Sequence, residues 1–339
     1  MASESTNQSR DRAPRLAIFN HKGGVGKTTL TVNLAFAIAD LGLKVLLVDS
    51  DPQCNLTSYL IEEAVVDDLL DNSDSLEGAT IWSALKPIAE GTGEARLIPP
   101  VEVRKNLYIL PGDIRLAEFE SELAPLWNEC FKRKLRGFRG TVALSNLVNS
   151  AAEAIDVDLV LYDSGPNIGP LNRIILLDCD NFVIPAACDA FSLRAIRTLG
   201  HALREWVSDW QTIQELAPDN IYLLPGLPKL LGYVPQRFRV YASRPSSQFA
   251  SFLPRIEKTV NEDVLTVLAR LNPLLVTSAI HPLKLAEIKD YSGQATAAQQ
   301  EGVALWNVNS GTQAQRDDAR TDFKGFAAVA LKRMGIKSQ

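Results

Sequence analysis

Asn20 to Thr29 reads N-H-K-G-G-V-G-K-T-T, and it stands between an apolar run, Leu16 to Phe19, and a helical pattern with Leu30, Leu34, Ile38 and Leu41 on one face. A glycine-rich turn that leaves a strand and opens a helix brings backbone N–H groups and the positive end of the helix dipole to one point. Such a point suits a phosphate. In this arrangement Lys27 reaches the β- and γ-phosphates and Thr28 can ligate Mg²⁺. The strict pattern G-x-x-x-x-G-K-[ST] is not met, because its first glycine falls in the Phe19-Asn20-His21 stretch. Gly23, Gly24 and Gly26 keep its working half. Gly23, Gly24, Val25, Gly26, Lys27, Thr28 and Thr29 are therefore the expected nucleotide-binding set.

Gly42 stands where the helix would stop, and Lys44 to Val48 is a second continuous apolar run. Strand, loop, helix, strand spells a βαβ unit with parallel strands. Further strand candidates are Leu107 to Leu110, Leu159 to Tyr162, Asn181 to Pro185, Leu230 to Val234 and Leu275 to Thr277. Helical patterns lie between them, the longest from Ser192 to Leu216, whose apolar stripe reads as core packing. The expected fold class is α/β: a doubly wound, mostly parallel sheet flanked by helices, in one domain over residues 15–335. Loop insertions are expected between about Glu62 and Arg139, and Met1 to Pro14, polar throughout, is expected to be a mobile tail.

The 339 residues are 46% hydrophobic and 22% charged, which excludes fibrous and wholly disordered classes. No apolar run approaches the ~20 residues of a spanning helix, so a cytoplasmic protein is expected and a membrane partner is not. Cys54, Cys130, Cys179 and Cys188 lie far apart without a CxxC pair, against zinc, a redox motif or a disulfide framework. Net charge is -5, but its distribution is uneven. Ile61 to Glu77 holds seven acids and no base, Lys132 to Arg139 five bases and no acid. Lys229 to Lys258 has six bases against Glu257, interleaved with Tyr233, Phe238, Tyr241, Phe249 and Phe252. Such runs mark partner surfaces or solvated loops alike.

Carboxylates follow two of the apolar runs. Val48 to Thr57 reads V-D-S-D-P-Q-C-N-L-T, with Asp49 and Asp51 at a strand terminus, where such a pair can serve a metal shell and an attacking water. Leu159 to Gly169, L-V-L-Y-D-S-G-P-N-I-G, places Asp163 after a strand, where it would hold Mg²⁺ through water.

K-G-G-V-G-K-T-T resembles the deviant Walker A loop of the ParA/MinD family, and V-D-S-D-P-Q-C-N-L-T is similar to the family's D-x-D-P-Q-x-N-x-T segment. The chain departs from the family's D-x-P-P-x-x-G by having Gly165 at the first proline, while Pro166 and Gly169 are kept. Asn106 to Leu123 is similar to the strand-loop-helix that precedes Walker B in the family. I-H-P-L-K-L-A-E-I-K-D-Y-S-G-Q-A resembles its late adenine-side loop, so that Pro235, Gln236, His281 and Pro282 would border the base. The resemblance, covering roughly Arg15 to Met334, implies catalytic roles for Lys22, Lys27 and Asp51. Lys22 would act across a dimer interface and Asp51 would position water. Thr28, Asp49 and Asp163 would surround Mg²⁺.

The implied protein is an ATPase, ATP and Mg²⁺ its cofactors, that hydrolyses ATP slowly and is switched by ATP into a homodimer. Nonspecific DNA and a ParB-like activating protein are the implied partners. Two alternatives stay open: a regulatory ATPase subunit of another complex, and a MinD-like membrane switch anchored by Phe323 to Lys337, for which a helix docked on the sheet is the competing reading.

Overall fold

Leu16 to Ile18, Val45 to Val48 and Leu159 to Tyr162 are fully buried, and a strand covered on both faces needs apolar side chains at every position. A computed structural model of the chain describes residues 12–238, 240–241, 244–245, 247–276 and 282–337. Its strands are β1 (Arg15–Ile18), β2 (Val45–Ser50), β3 (Val101–Arg104), β4 (Leu107–Leu110), β5 (Leu159–Ser164), β6 (Asn181–Ala187), β7 (Lys229–Phe238), β8 (Val240–Tyr241), β9 (Arg244–Pro245) and β10 (Ile288–Lys289). Eight of them form one sheet in the order β10-β7-β6-β1-β5-β2-β4-β3, while β8 pairs with β9. Every neighbour in the large sheet is parallel except β3 with β4. The mostly parallel, doubly wound sheet is thus observed.

The helices are α1 (Lys27–Ala39), α2 (Asn55–Leu60), α3 (Glu63–Asp71), α4 (Ile81–Ala89), α5 (Leu116–Phe131), α6 (Leu135–Ile155), α7 (Pro170–Asp178), α8 (Ala190–Leu216), α9 (Ser247–Val260), α10 (Thr266–Leu271), α11 (Ser292–Glu301) and α12 (Gln313–Met334). Strand side chains alternate between two cores. Ala17, Leu46, Val160 and Tyr162 join α4 to α8 on one face. Leu16, Val45, Leu47 and Leu161 join α1, α2 and α12 on the other.

α1 differs from the one-sided stripe expected of it, since it is buried from Leu30 to Ala39 on all sides. The cause is α12. Its Phe323, Phe326, Ala330 and Leu331 are buried in the same core, so the segment weighed as a membrane anchor instead covers α1. Among the described residues no helix is long and apolar enough to cross a membrane.

Three other expectations need amendment. Pro273 to Leu275 is a 3₁₀ turn rather than a strand, because Pro273 offers no N–H and the Asn272 side chain accepts from the Leu274 N–H at 2.9 Å; Thr277 lies outside the described residues. The stretch from Glu62 to Arg139, expected to carry loop insertions, also holds α3, α4, β3 and the start of α6, beside the strand β4 and the helix α5 that were expected over Asn106 to Leu123. Of the expected tail, residues 1–11 lie outside the described residues, and Arg12 is tied to Asp178 and Asp180.

Candidate functional site

β1 and β5 are neighbours, and the chain runs from β1 toward β2 but from β5 in the opposite direction toward β6, so a crevice opens at the strands' carboxyl ends. The glycine-rich loop fills that crevice. Gly24 and Gly26 have φ of 70° and 82°, a left-handed backbone that admits glycine without strain. Gly26 is the N-cap of α1, with no side-chain cap and no acid in the first turn. The first N–H groups of α1 therefore lack a side-chain partner and are available to an anion.

A cleft of about 370 Å³ is lined by Gly23, Gly24, Gly26, Lys27, Thr28, Thr29, Asp51, Gln53, Asn55, Tyr59, Pro166 and Gln299. Val25, expected in the set, is buried and does not line it. Lys27 is itself 8% exposed; burial lowers its pKa, while Asp163 and Asp51 pull it upward. Parallel register places Asp49 beside Asp163 on adjacent strands. Asp163 accepts from Thr28 Oγ1 at 2.7 Å and from Thr31 Oγ1 at 3.3 Å; burial first, then Asp49, pushes it up to about 7. Asp49 is fully buried and accepts from the Thr57 N–H at 2.8 Å and Oγ1 at 2.6 Å, with burial pushing it up to about 6. It stands behind the cleft, whereas Asp51 faces it.

Thr28 and the Asp163 carboxylate bonded to it offer hard oxygen ligands beside a cradle for phosphate, which fits Mg²⁺ arriving on a nucleotide, whereas Asp49, the third residue expected at the metal, is turned to Thr57. Among the described residues no cluster of His, Cys, Asp and Glu holds a metal by itself.

Lys22 does not line the cleft. Its Nζ pairs with Asp189 and lies 3.2 Å from Ser192 Oγ, at the N-terminus of α8. The residues expected at the base separate. Pro235 and Gln236 are buried at the end of β7, and a Cβ on Gly26 would meet Gln236 Oε1 at 2.6 Å, so Gln236 abuts the loop. Pro282 is exposed and its carbonyl accepts from Arg333, away from the cleft lining. His281 lies outside the described residues. A separate cavity of about 430 Å³, bounded by Lys289, Tyr291, Gln294 and Gln315, includes no residue of the loop.

Sequence reasoning missed Gln53, Asn55, Tyr59 and Gln299 as lining. Asn55 and Tyr59 are four apart on α2, a spacing that gives them one face. Gln299 comes from α11 and carried no signal.

The basic runs fare differently. Lys134, Arg136 and Arg139 pair with Glu129, Glu122 and Glu94 of the same chain. Tyr233 and Phe249 are core residues. The side chains of Arg237, Phe238, Arg239, Tyr241 and Arg244 lie outside the described residues. An exposed row not anticipated runs along α8: Arg194, Arg197, His201 and Arg204, with Arg197 near Asp263 at 3.4 Å.

The AAA domain family model matches residues 14–215 of the chain. The chain belongs to the ParA/MinD family of P-loop ATPases. It is 32% identical to the sporulation initiation inhibitor protein Soj of Bacillus subtilis over 56% of its own length and 64% of that protein. With the chromosome partitioning protein ParA of Myxococcus xanthus it shares 34% identity, over 56% of its length and 57% of the relative. The match thus spans less than two thirds of either relative. Among solved structures, protein DIP2308 of Corynebacterium diphtheriae is 25% identical with a TM-score of 0.70, covering 95% of this chain and 98% of that one. The ATP complex of Cyanothece McdA shares the fold, with 17% identity and a TM-score of 0.60 over 97% and 99% of the two chains.

Proposed function

We propose that this ParA/MinD family member binds ATP with Mg²⁺ in the cleft, hydrolyses it slowly, and uses the nucleotide to switch between monomer and homodimer. The observation that carries the reading is the convergence of Lys27, Thr28, Asp51 and Asp163 on the uncapped start of α1. Lys27 and the loop amides would hold the phosphates, Thr28 and Asp163 the Mg²⁺, and Asp51 would orient the attacking water. Bound Mg²⁺ supplies charge neutralisation at the phosphates. Asp49, braced by Thr57, supports Asp51 from behind.

Lys22 is the trans residue in this reading. In the single chain it is occupied by Asp189 rather than by its own cleft, so reaching a partner's nucleotide requires that pair to open. Relatives named for chromosome partitioning support nonspecific DNA as a partner and a ParB-like activating protein as another. The exposed row on α8, with Arg197 near Asp263, is one basic surface that the described residues offer to phosphates, while Lys134, Arg136 and Arg139 of the other run pair within the chain.

Light scattering with a nonhydrolysable ATP analogue tests the switch. The wild type should dimerise, Lys27→Ala should neither bind the analogue nor dimerise, and Lys22→Ala should bind yet stay monomeric. A Lys22→Ala dimer equal to wild type would remove the trans role, and a wild type that stays monomeric would remove the switch.

A further inference from the structure

The loop over residues 164–169 joins β5 to α7 and touches both halves of the cleft. A Cβ on Gly165 would stand 3.4 Å from Asp51 Oδ1, and one on Gly23 would stand 3.8 Å from Pro166 Cβ. This loop is held from behind by side chains of two helices. Asn172, 2% exposed on α7, donates to the Gly165 carbonyl at 3.1 Å, the Asn167 carbonyl at 3.0 Å and Asn167 Oδ1 at 2.7 Å. Asn167 Oδ1 also accepts from the Gly169 N–H at 2.8 Å. α7 has no side-chain cap of its own. Glu120, reaching over from α5, instead sets its Oε1 against Gly169 at the start of α7; burial raises its pKa, while the nearby Leu171 N–H and Asn167 side chain favour its charged form. A Cβ on Gly169 would overlap Glu120 Oε1, so glycine there leaves room for that carboxylate.

The geometry points to Glu120 as a positioning residue for ATP hydrolysis, one that fixes the loop of residues 164–169 against Asp51 and the phosphate loop by capping α7 from a neighbouring helix. A carboxylate at a helix N-terminus is favoured by the dipole and satisfies N–H groups that otherwise face the loop. Without it the loop is free to drift from Asp51, and displacement of a positioned group by about an ångström costs on the order of a hundredfold in rate. The inference rests on the reading above, in which Asp51 orients the attacking water.

Basal phosphate release and binding of a fluorescent nonhydrolysable ATP analogue, both on the full chain, separate positioning from scaffolding. Glu120→Ala should lower kcat by about tenfold or more while the analogue Kd stays within about twofold. Glu120→Gln, which keeps one acceptor oxygen at the start of α7, should recover much of the lost rate. Gly169→Ala, whose methyl occupies the carboxylate's place at an ordinary φ of -91°, should lower kcat in the same way. These last two decide the matter if Glu120→Ala does not fold. Wild-type turnover in Glu120→Ala, or parallel loss of kcat and analogue binding in all three variants, overturns the assignment. Asp51→Ala is the control: undiminished turnover there removes the reading of Asp51 and leaves the loop contacts of Glu120 as packing.

Discussion

Asp163 and Asp49 are fully buried carboxyl groups, and burial holds their pKa values at about 7 and about 6, above the 3.8 of a free Asp side chain. Between about pH 4 and 7 the folded protein therefore binds more protons than the unfolded chain, and the stability they contribute is present at low pH and lost as pH rises through those values. The thermal midpoint of the nucleotide-free protein should fall across this window more steeply than that of Asp163→Asn. Identical slopes would contradict it. His21, whose pKa is lowered by burial and by Lys27, acts in the opposite sense, and comparison with the single variant removes its share. At the catalytic position Asp51→Ala should keep ATP affinity, turn over far more slowly and accumulate as dimer, to be measured by phosphate release and light scattering. Far from the cleft, Arg15 is buried against Asp178, which also accepts from Tyr162 Oη at 2.7 Å. Asp178→Ala would strand that guanidinium, at a cost of roughly 3–5 kcal/mol in urea unfolding. A loss under about 1 kcal/mol would show the pair to be dispensable.

At the level of elements, α12 and α8 carry the largest packing consequences. Phe326 is fully buried between α12 and the core that holds α1, and Phe326→Ala should cost about 3–5 kcal/mol. Unchanged stability with new affinity for lipid vesicles would instead revive the anchor. In α8, a Cβ on Gly200 would overlap the Asp263 carbonyl, so glycine there buys close helix approach, and Gly200→Ala should separate the two segments and destabilise by about 1–3 kcal/mol. These same elements show what a sequence can disclose. β1, β2, β4, β5 and β6 were readable because parallel strands buried on both faces leave unbroken apolar runs. β3 and β10 were not, being four and two residues long at the sheet's edges. α4 was hidden by the Pro87 inside it, which breaks the pattern a helix normally shows, whereas α5, despite Pro125, was foreseen through the resemblance of Asn106 to Leu123. The phosphate loop was legible because one contiguous segment builds it. Gln299 and Glu120 reach the site from helices distant in sequence, and no local spacing records where they meet it.

For the whole molecule, net charge of -5 means that binding to a polyanion must be local. The ATP-bound dimer should bind random duplex DNA with affinity that drops steeply between low and near-physiological salt, as neutralised phosphates release counterions. Replacing Arg194, Arg197 and Arg204 together by Ala should flatten that dependence. ATP-independent binding, or none at low salt, would favour a regulatory subunit that acts on protein partners. The burial of α1 on every side has a further consequence for how such a molecule changes shape. A helix clamped between a sheet and α12 cannot tilt without opening two cores at once, so the phosphate loop at its head is a fixed anvil. Nucleotide chemistry must be relayed by the thinner parts around it, the turn from Asp51 to Asn55 and the stretch from Ser164 to Gly169. Hydrogen exchange should report that division directly, with α1 amides among the slowest in the chain and those two segments quickening or slowing with each nucleotide.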